Sequence, residues 1–244
     1  MLTLENVGWT ASDGEEILRN ISLEIPEGKM TVITGPNGGG KTSLAKLIAG
    51  LVTPTAGKIL LDGTDITGWD MTERARHGIS YAFQQPVRFK GLTVRDLLEI
   101  SAEEPLSQDR ICKYLGEVGL CAGEYIDRVV DDSLSGGEGK RIEIATALAR
   151  KNVKVRVFDE PEAGIDLWSF TNLIDVFQRL KNRPEEALLV ISHQERILNI
   201  ADRIVVVADG HVRIAGDRES VLPGLLAQEK AARCPMEEER SCAG

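Results

Sequence analysis

The 244-residue sequence predicts an α/β fold, with a helical subdomain inserted into its core and extra strands at the front. Three observations carry this reading. A glycine-rich loop, Gly35-Pro36-Asn37-Gly38-Gly39-Gly40-Lys41-Thr42, stands between an apolar strand-like run and an apolar-periodic helical run. Short apolar runs of strand length recur before residue 84 and after residue 152. Between Pro86 and Arg150 the pattern changes to helical periodicity.

In chain order, residues 2–7 alternate apolar and polar, as a strand with one buried face does. Ile21, Leu23 and Ile25 repeat the alternation, and Pro26-Glu27-Gly28 turns the chain into the apolar strand 30–33. A helix over 44–49 follows the glycine loop. Further strands are expected at 58–61, closed by Asp62-Gly63, and at 79–83. Inside the inserted block, at about 87–151, helical spacing is clearest at 94–100, 111–118 and 142–148. Strand patterns return at 153–158, 187–191 and 203–207, with a helix near 170–180. From Gln228 onward the chain is charged and short of large apolar groups. Residues 1–228 therefore read as one domain and 229–244 as a flexible tail.

The bulk composition narrows the function. A hydrophobic content of 42% supports a sizeable core. With 29 Lys and Arg against 38 Asp and Glu, the net charge of −9 gives no general basic field for nucleic acid. No apolar run approaches the ~20 residues of a membrane span. The N-terminus lacks the basic and apolar regions of a signal peptide. A cytoplasmic protein with no direct membrane insertion is expected. Cys112, Cys121, Cys234 and Cys242 show no C-x-x-C spacing, which fits reduced thiols rather than a disulfide frame or a cluster-ligand set.

The glycine loop fits G-x-x-x-x-G-K-[ST] at every fixed position. Its backbone N–H groups can curl around a triphosphate, and the helix N-terminus adds partial positive charge. Gly35, Pro36, Asn37, Gly38, Gly39, Gly40, Lys41, Thr42 and the adjoining Ser43 form the candidate cradle for ATP. Lys41 would reach the outer phosphates, and the Thr42 hydroxyl would ligate Mg²⁺. Val155-Arg156-Val157-Phe158-Asp159-Glu160 reads as an apolar strand ending in two carboxylates. Asp159 would stand beside the Mg²⁺, and Glu160 where it can polarise an attacking water. Arg156 either faces out or caps an edge. Ser135-Gly136-Gly137 opens a helix and makes a second anion-binding corner. Two such corners in one chain make sense if two chains face each other, the Ser135 corner of one closing on the γ-phosphate held by Lys41 of the other.

These residues resemble the ABC ATPases, a branch of the P-loop NTPases. Residues 35–42 look like Walker A, 134–138 are identical to the signature LSGGE, and 155–160 resemble Walker B with its catalytic glutamate. Gln84 resembles the Q-loop glutamine, which in the family touches the Mg²⁺ site and the attacking water. Ala163-Gly164-Ile165-Asp166 resembles the D-loop. Ser192-His193 resembles the H-loop, whose histidine contacts the γ-phosphate. The resemblance covers about residues 1–225. It implies an ABC ATPase domain with an antiparallel β subdomain and an inserted helical subdomain, ATP and Mg²⁺ as ligands, and an ATP-dependent homodimer.

Two stretches narrow the resemblance. Glu73-Arg74-Ala75-Arg76-His77-Gly78 and Ala82-Phe83-Gln84-Gln85-Pro86 look like the E-R-A-R-x-G and A-F-Q-x-P runs of SufC, the soluble ATPase of Suf iron–sulfur cluster assembly. Residues 137–144 and 192–198 are similar to further SufC runs. The implied partner is a SufB- or SufD-like scaffold, docking near Gln85, Pro86, Arg88, Phe89 and Lys90. Phe89 is either its apolar anchor or a buried loop aromatic. The competing reading is the energy-coupling subunit of a membrane transporter. Several positions depart from the pattern. Gly39 replaces a common serine, Pro161 stands where SufC often has threonine, and Gln85 where it often has an aromatic. The adenine-stacking aromatic expected near Ala11 is absent. Trp9 either substitutes for it or packs as a strand tryptophan.

Overall fold

The computed structural model describes residues 1–84, 89 and 91–232. Gln85, Pro86, Arg88, Lys90, Cys234 and Cys242 of the sequence reading lie outside the described residues. The front of the chain forms an antiparallel sheet from β1 (Leu2–Thr10), β2 (Glu16–Ile25), β4 (Ala56–Leu61) and β5 (Thr64–Asp65), in the order β2-β1-β4-β5. A second sheet holds β3 (Met30–Thr34), β6 (Ile79–Ala82), β7 (Val155–Asp159), β8 (Ala187–Ile191), β9 (Arg203–Ala208) and β10 (His211–Asp217), in the order β10-β9-β3-β8-β7-β6. Strands β9 to β6 run parallel, and β10 pairs antiparallel to β9.

The burial of the central strands follows from their sequence. Every residue of β3, β7 and β8 is buried. Strands covered on both faces read as continuous apolar runs rather than alternating ones. One face of this sheet, through Met30, Val32, Phe158, Leu188 and Val190, packs on the helices. The other, through Ile33, Val155, Val157, Leu189 and Ile191, packs on α1 (Lys41–Ala49) and the front sheet. Between β6 and β7 lie α3 (Val94–Ala102), α4 (Gln108–Glu117), α5 (Ala122–Tyr125) and α6 (Gly136–Ala149). Thr93 caps α3, Ser107 caps α4 and Ser135 caps α6, each through its side chain. Helix α7 (Leu167–Lys181) joins β7 to β8.

Sequence periodicity missed the short or mixed elements: β5, α2 (Met71–Arg76), α5, α8 (Glu195–Ile200), β10 and α9 (Arg218–Ala232). Of these, β5 and β10 are held by pairing with β4 and β9, and α2 by a capping box. Helix α9 continues to Ala232, past the boundary read at 228, and contains Pro223. Strand β6 stops at Ala82, one residue short of the expected end, because the Phe83 N–H donates to the Glu143 side chain instead of a strand neighbour.

Two buried arginines fix the frame. Arg156 is the correction to the sequence reading: it neither faces out nor caps a sheet edge. It is 1% exposed, pairs with Glu186 at 3.0 Å, and donates to the Ala147 and Arg150 carbonyls at the end of α6. Arg74 is fully buried in α2, a helix begun by a capping box between Asp70 and Glu73. Its Nη1 donates to Leu47 O at 2.5 Å and Ile48 O at 3.0 Å, at the end of α1. Its Nη2 donates to Ile66 O and Thr67 O at 2.9 and 3.1 Å, and its Nε to Trp69 O at 3.1 Å. Burial lowers its pKa to about 10, so it stays charged at neutral pH. Arg74→Met is expected to lower the unfolding free energy by about 3 kcal/mol, because buried carbonyls lose their donors. Arg74→Lys should recover less than half, since one ammonium cannot reproduce the planar fork. Urea titration of the three proteins checks both.

Candidate nucleotide site

The site sits where the parallel strands end. Strand β3 runs out at Thr34, and the loop 35–40 delivers Lys41 as the first residue of α1. A groove of about 380 Å³ is lined by Ile17, Asn37, Gly38, Gly40, Lys41, Thr42, Ser43, Gln84 and Glu160. Lys41 Nζ donates to the Gly35 and Pro36 carbonyls, both at 2.8 Å, so the ammonium lies folded on its own loop. Burial lowers its pKa, against the opposing pull of Glu160 and Asp159. Gly39 has a steric reason. A Cβ there would stand 2.7 Å from Val207 O and 3.1 Å from Pro36 O, closer than a side chain tolerates. The loop is tucked against the end of β9, and serine does not fit in this backbone.

Strand β7 brings Glu160 to the lining of this groove and leaves Asp159 buried behind it, against Thr42. Asp159, fully buried, accepts from Thr42 Oγ1 at 3.4 Å and from the Tyr81 hydroxyl at 2.9 Å. Burial raises the Asp159 pKa, and Glu160 adds to it, while the Tyr81 and Thr42 hydrogen bonds oppose. Burial and the Asp159 charge also raise the Tyr81 hydroxyl pKa. Glu160 follows with φ +45°, in the left-handed region that a non-glycine residue enters only under constraint. Its N–H donates to Ile191 O at 3.0 Å, and its Oε2 accepts from Gln84 Nε2 at 2.6 Å. Thr42, Asp159, Gln84 and Glu160 thus converge as hard oxygen donors of the kind a magnesium ion takes, and the buried carboxylate favours a cation. Sequence reasoning missed Tyr81. A phenol in a four-residue strand, three positions before Gln84, was the available signal.

A second group lies apart from the groove. Ser135 caps α6 through a reciprocal box with Glu138: Glu138 Oε2 accepts from the Ser135 N–H at 2.7 Å. Ser135 and Gly136 are exposed. A Cβ on Gly137 would meet Gly164 O at 2.7 Å, so the helix start is pressed against the loop 163–166. Asp166 accepts from the Ser169 N–H at 3.0 Å and from its hydroxyl at 2.7 Å, capping the start of α7. Among the described residues, Ser135, Gly136, Gly137, Asp166 and His193 are not part of the groove lining. His193 is exposed just past the end of β8. Beside it, Ser192 donates to Glu162 Oε1 at 2.5 Å, and burial raises the Glu162 pKa.

Two alternatives resolve here. Trp9 is half-buried and packs on the front core, while Ile17 supplies the apolar part of the groove lining. Phe89 is 40% exposed, not buried, over a cavity of about 170 Å³ shared with Tyr81, Phe83, Leu97, Val130 and Ile142. Cys112 and Cys121 are free and exposed, and among the described residues no group of three His, Cys, Asp or Glu side chains could hold a metal.

Residues 18–163 match the family model described as "ABC transporter". The chain belongs to the ABC transporter ATP-binding family. It is 37% identical over 227 residues to an uncharacterized ABC transporter ATP-binding protein of Methanocaldococcus jannaschii, covering 90% of this chain and 89% of that one. It is 32% identical over 229 residues to LptB, the lipopolysaccharide export system ATP-binding protein of Escherichia coli K12, covering 91% and 92%. A dimeric bacterial ABC transporter cassette superposes with TM-score 0.80 at 26% identity, over 89% of this chain and 99% of that one. A dimeric cassette in a post-hydrolysis state with ADP and Pi gives 0.78 at 26%, with the same coverage. This ABC cassette is an ATP hydrolase, and no described helix is long and apolar enough to cross a membrane.

The buried carboxylate gives a signed prediction. A raised folded pKa means stability that is complete below the ordinary carboxylate range and is lost as pH rises through the folded value. Without nucleotide or metal, Asp159→Asn should therefore raise the thermal midpoint near neutral pH by about 2–4 °C. That advantage should vanish in acid. Calorimetry at both pH values tests it, and a lower midpoint at neutral pH contradicts it.

Proposed function

We propose that the chain hydrolyses MgATP in a head-to-tail homodimer and so drives a conformational change in a SufB/SufD-like scaffold during iron–sulfur cluster assembly. The supporting observation for the dimer is the separation within one chain: the phosphate loop, Gln84 and Glu160 share a groove that Ser135 and Asp166 do not enter. A second copy, turned to face the first, supplies its Ser135, Gly136 and Gly137 to the exposed γ-phosphate, and its Asp166 beside the joint. The dimeric neighbours described above support this arrangement.

Gly35 to Gly40 and Ser43 cradle the phosphates, and Lys41 swings from its loop carbonyls to the β- and γ-phosphates. Thr42, Asp159 and Gln84 would hold Mg²⁺, which when bound neutralises charge on the phosphoryl oxygens. Glu160 takes a proton from the water whose oxygen forms the new bond to the γ-phosphorus, while the bond to the ADP oxygen breaks. His193 contacts the γ-phosphate from the end of β8. ATP favours the closed pair, and its hydrolysis releases it. The protein is cytoplasmic in this reading.

The Suf assignment rests on the stretches 73–78 and 82–86 and on the runs at 137–144 and 192–198. Phe89 and its apolar cavity are the docking candidate for the scaffold. The names of the relatives favour a second reading, an energy-coupling subunit bound to a membrane transporter. Co-purification of the native protein separates the two: a soluble scaffold supports the first, a multi-span permease the second. Glu160→Gln should abolish turnover, keep ATP binding and accumulate an ATP-bound dimer in light scattering; near-normal turnover would remove the base assignment. Lys41→Ala should weaken ATP affinity by at least about 1.5 kcal/mol, the value of one charge-assisted contact, in equilibrium binding.

A further inference from the structure

Helix α6 carries a fully buried lysine, an unusual expense for a cytosolic domain. Lys140 Nζ donates to the Phe83 carbonyl, to the Gln84 carbonyl at 3.4 Å and to Glu143 Oε2 at 3.1 Å. The other oxygen of Glu143 accepts from the Phe83 N–H at 2.5 Å. The pair thus grips both backbone groups of Phe83 and the carbonyl of Gln84. The Lys140 charge also opposes the rise of the Asp159 carboxyl pKa, and Asp159 adds to the burial that raises Glu143. One side-chain bond further on, Gln84 Nε2 donates to Glu160. The same helix is capped by Ser135, five residues before Lys140.

A buried ion pair is weak evidence of stability, because desolvation offsets the attraction. What this pair does have is position. It is the rigid link between the helix whose N-terminus serves a facing copy and the backbone that carries Gln84 to this chain's own Glu160.

We propose that Lys140, oriented by Glu143, is a positioning residue that couples the two ATP sites of the dimer. When Ser135 engages the nucleotide held by the second copy, the resulting shift of α6 moves the Phe83–Gln84 backbone through Lys140. That shift sets Gln84 against Glu160 in the first site. Each site therefore becomes competent only when the opposite one is filled. The inference rests on the ATP-sandwiched dimer proposed above.

The test uses the full chain as wild type, Lys140→Met, Lys140→Arg and Glu143→Gln. Hydrolysis is followed against ATP concentration, and dimer formation by light scattering in a Glu160→Gln background. The wild type should show a Hill coefficient above 1. Lys140→Met should keep monomer ATP affinity within about twofold and still dimerise. Its kcat should fall by about tenfold or more, and its Hill coefficient should drop to about 1. Lys140→Arg should restore cooperativity, since a guanidinium keeps the charge and the donors. A folded Lys140→Met protein that loses rate but keeps its cooperativity overturns the proposal and leaves Lys140 a structural pin. So does a wild type with no cooperativity. If Lys140→Met fails to fold, Glu143→Gln carries the decision, because it keeps an acceptor for the Phe83 N–H: lost cooperativity supports the coupling and retained cooperativity overturns it. A Glu160→Gln protein that stays monomeric with ATP defeats the dimer reading itself, and the coupling with it.

Discussion

The contact between Thr42 on α1 and Asp159 at the end of β7 organises this molecule. It joins the helix that follows the phosphate loop to the central strand that ends in the carboxylates. For the contact to form, β7 must run as a wholly buried strand between β6 and β8, and it can do so only because both faces of the sheet are covered. The carboxyl of Asp159 is thereby desolvated at a point where two hydroxyls and the Lys140 charge oppose its protonation. A site held in this condition favours a cation and a polyanion together. The rest of the fold serves that balance: the front sheet closes one face, and the inserted helices cover the other.

The parts of this arrangement that the sequence made legible are those set by short-range rules. The loop 35–42, the strands before and after it, and the carboxylates at 159 and 160 follow from spacing and apolar runs that depend on neighbours in the chain. Arg156 was misread for a physical reason. In a strand pattern an arginine signals an edge or a solvent face, whereas here it satisfies carbonyls at the end of α6 that only the folded molecule brings within reach. Tyr81, Glu143 and Glu162 were missed for the same reason, since each acts on a partner at least 30 residues away, or on one whose backbone conformation is not encoded locally. Gly39 read as a lost hydroxyl and is better understood as a tolerated approach to Val207.

Helix α2 changes what the stretch 73–78 means. Glu73 closes a capping box and Arg74 caps the end of α1 together with three carbonyls of the segment 66–69. His77 stacks on Trp69 with ring centroids 4.2 Å apart. Arg74 works inside the fold, at the end of the phosphate-loop helix, while Glu73 and His77 stay exposed. The likeness of this stretch to SufC at Arg74 is therefore accounted for by how the core is braced.

A partner that drives or senses ATP turnover would need to bear on the chain where it is both exposed and mechanically connected to the chemistry. Phe89, at 40% exposure, meets the first condition. Its cavity meets the second, because Tyr81 and Glu143 line the same space. Tyr81 bonds Asp159, and Glu143 holds the Phe83 N–H one residue before Gln84. A side chain pressed into that cavity from outside would load the backbone that positions Gln84 against Glu160. The partner need not approach the nucleotide to sense it. A scaffold and a permease could each exploit this lever without altering the ATP chemistry behind it.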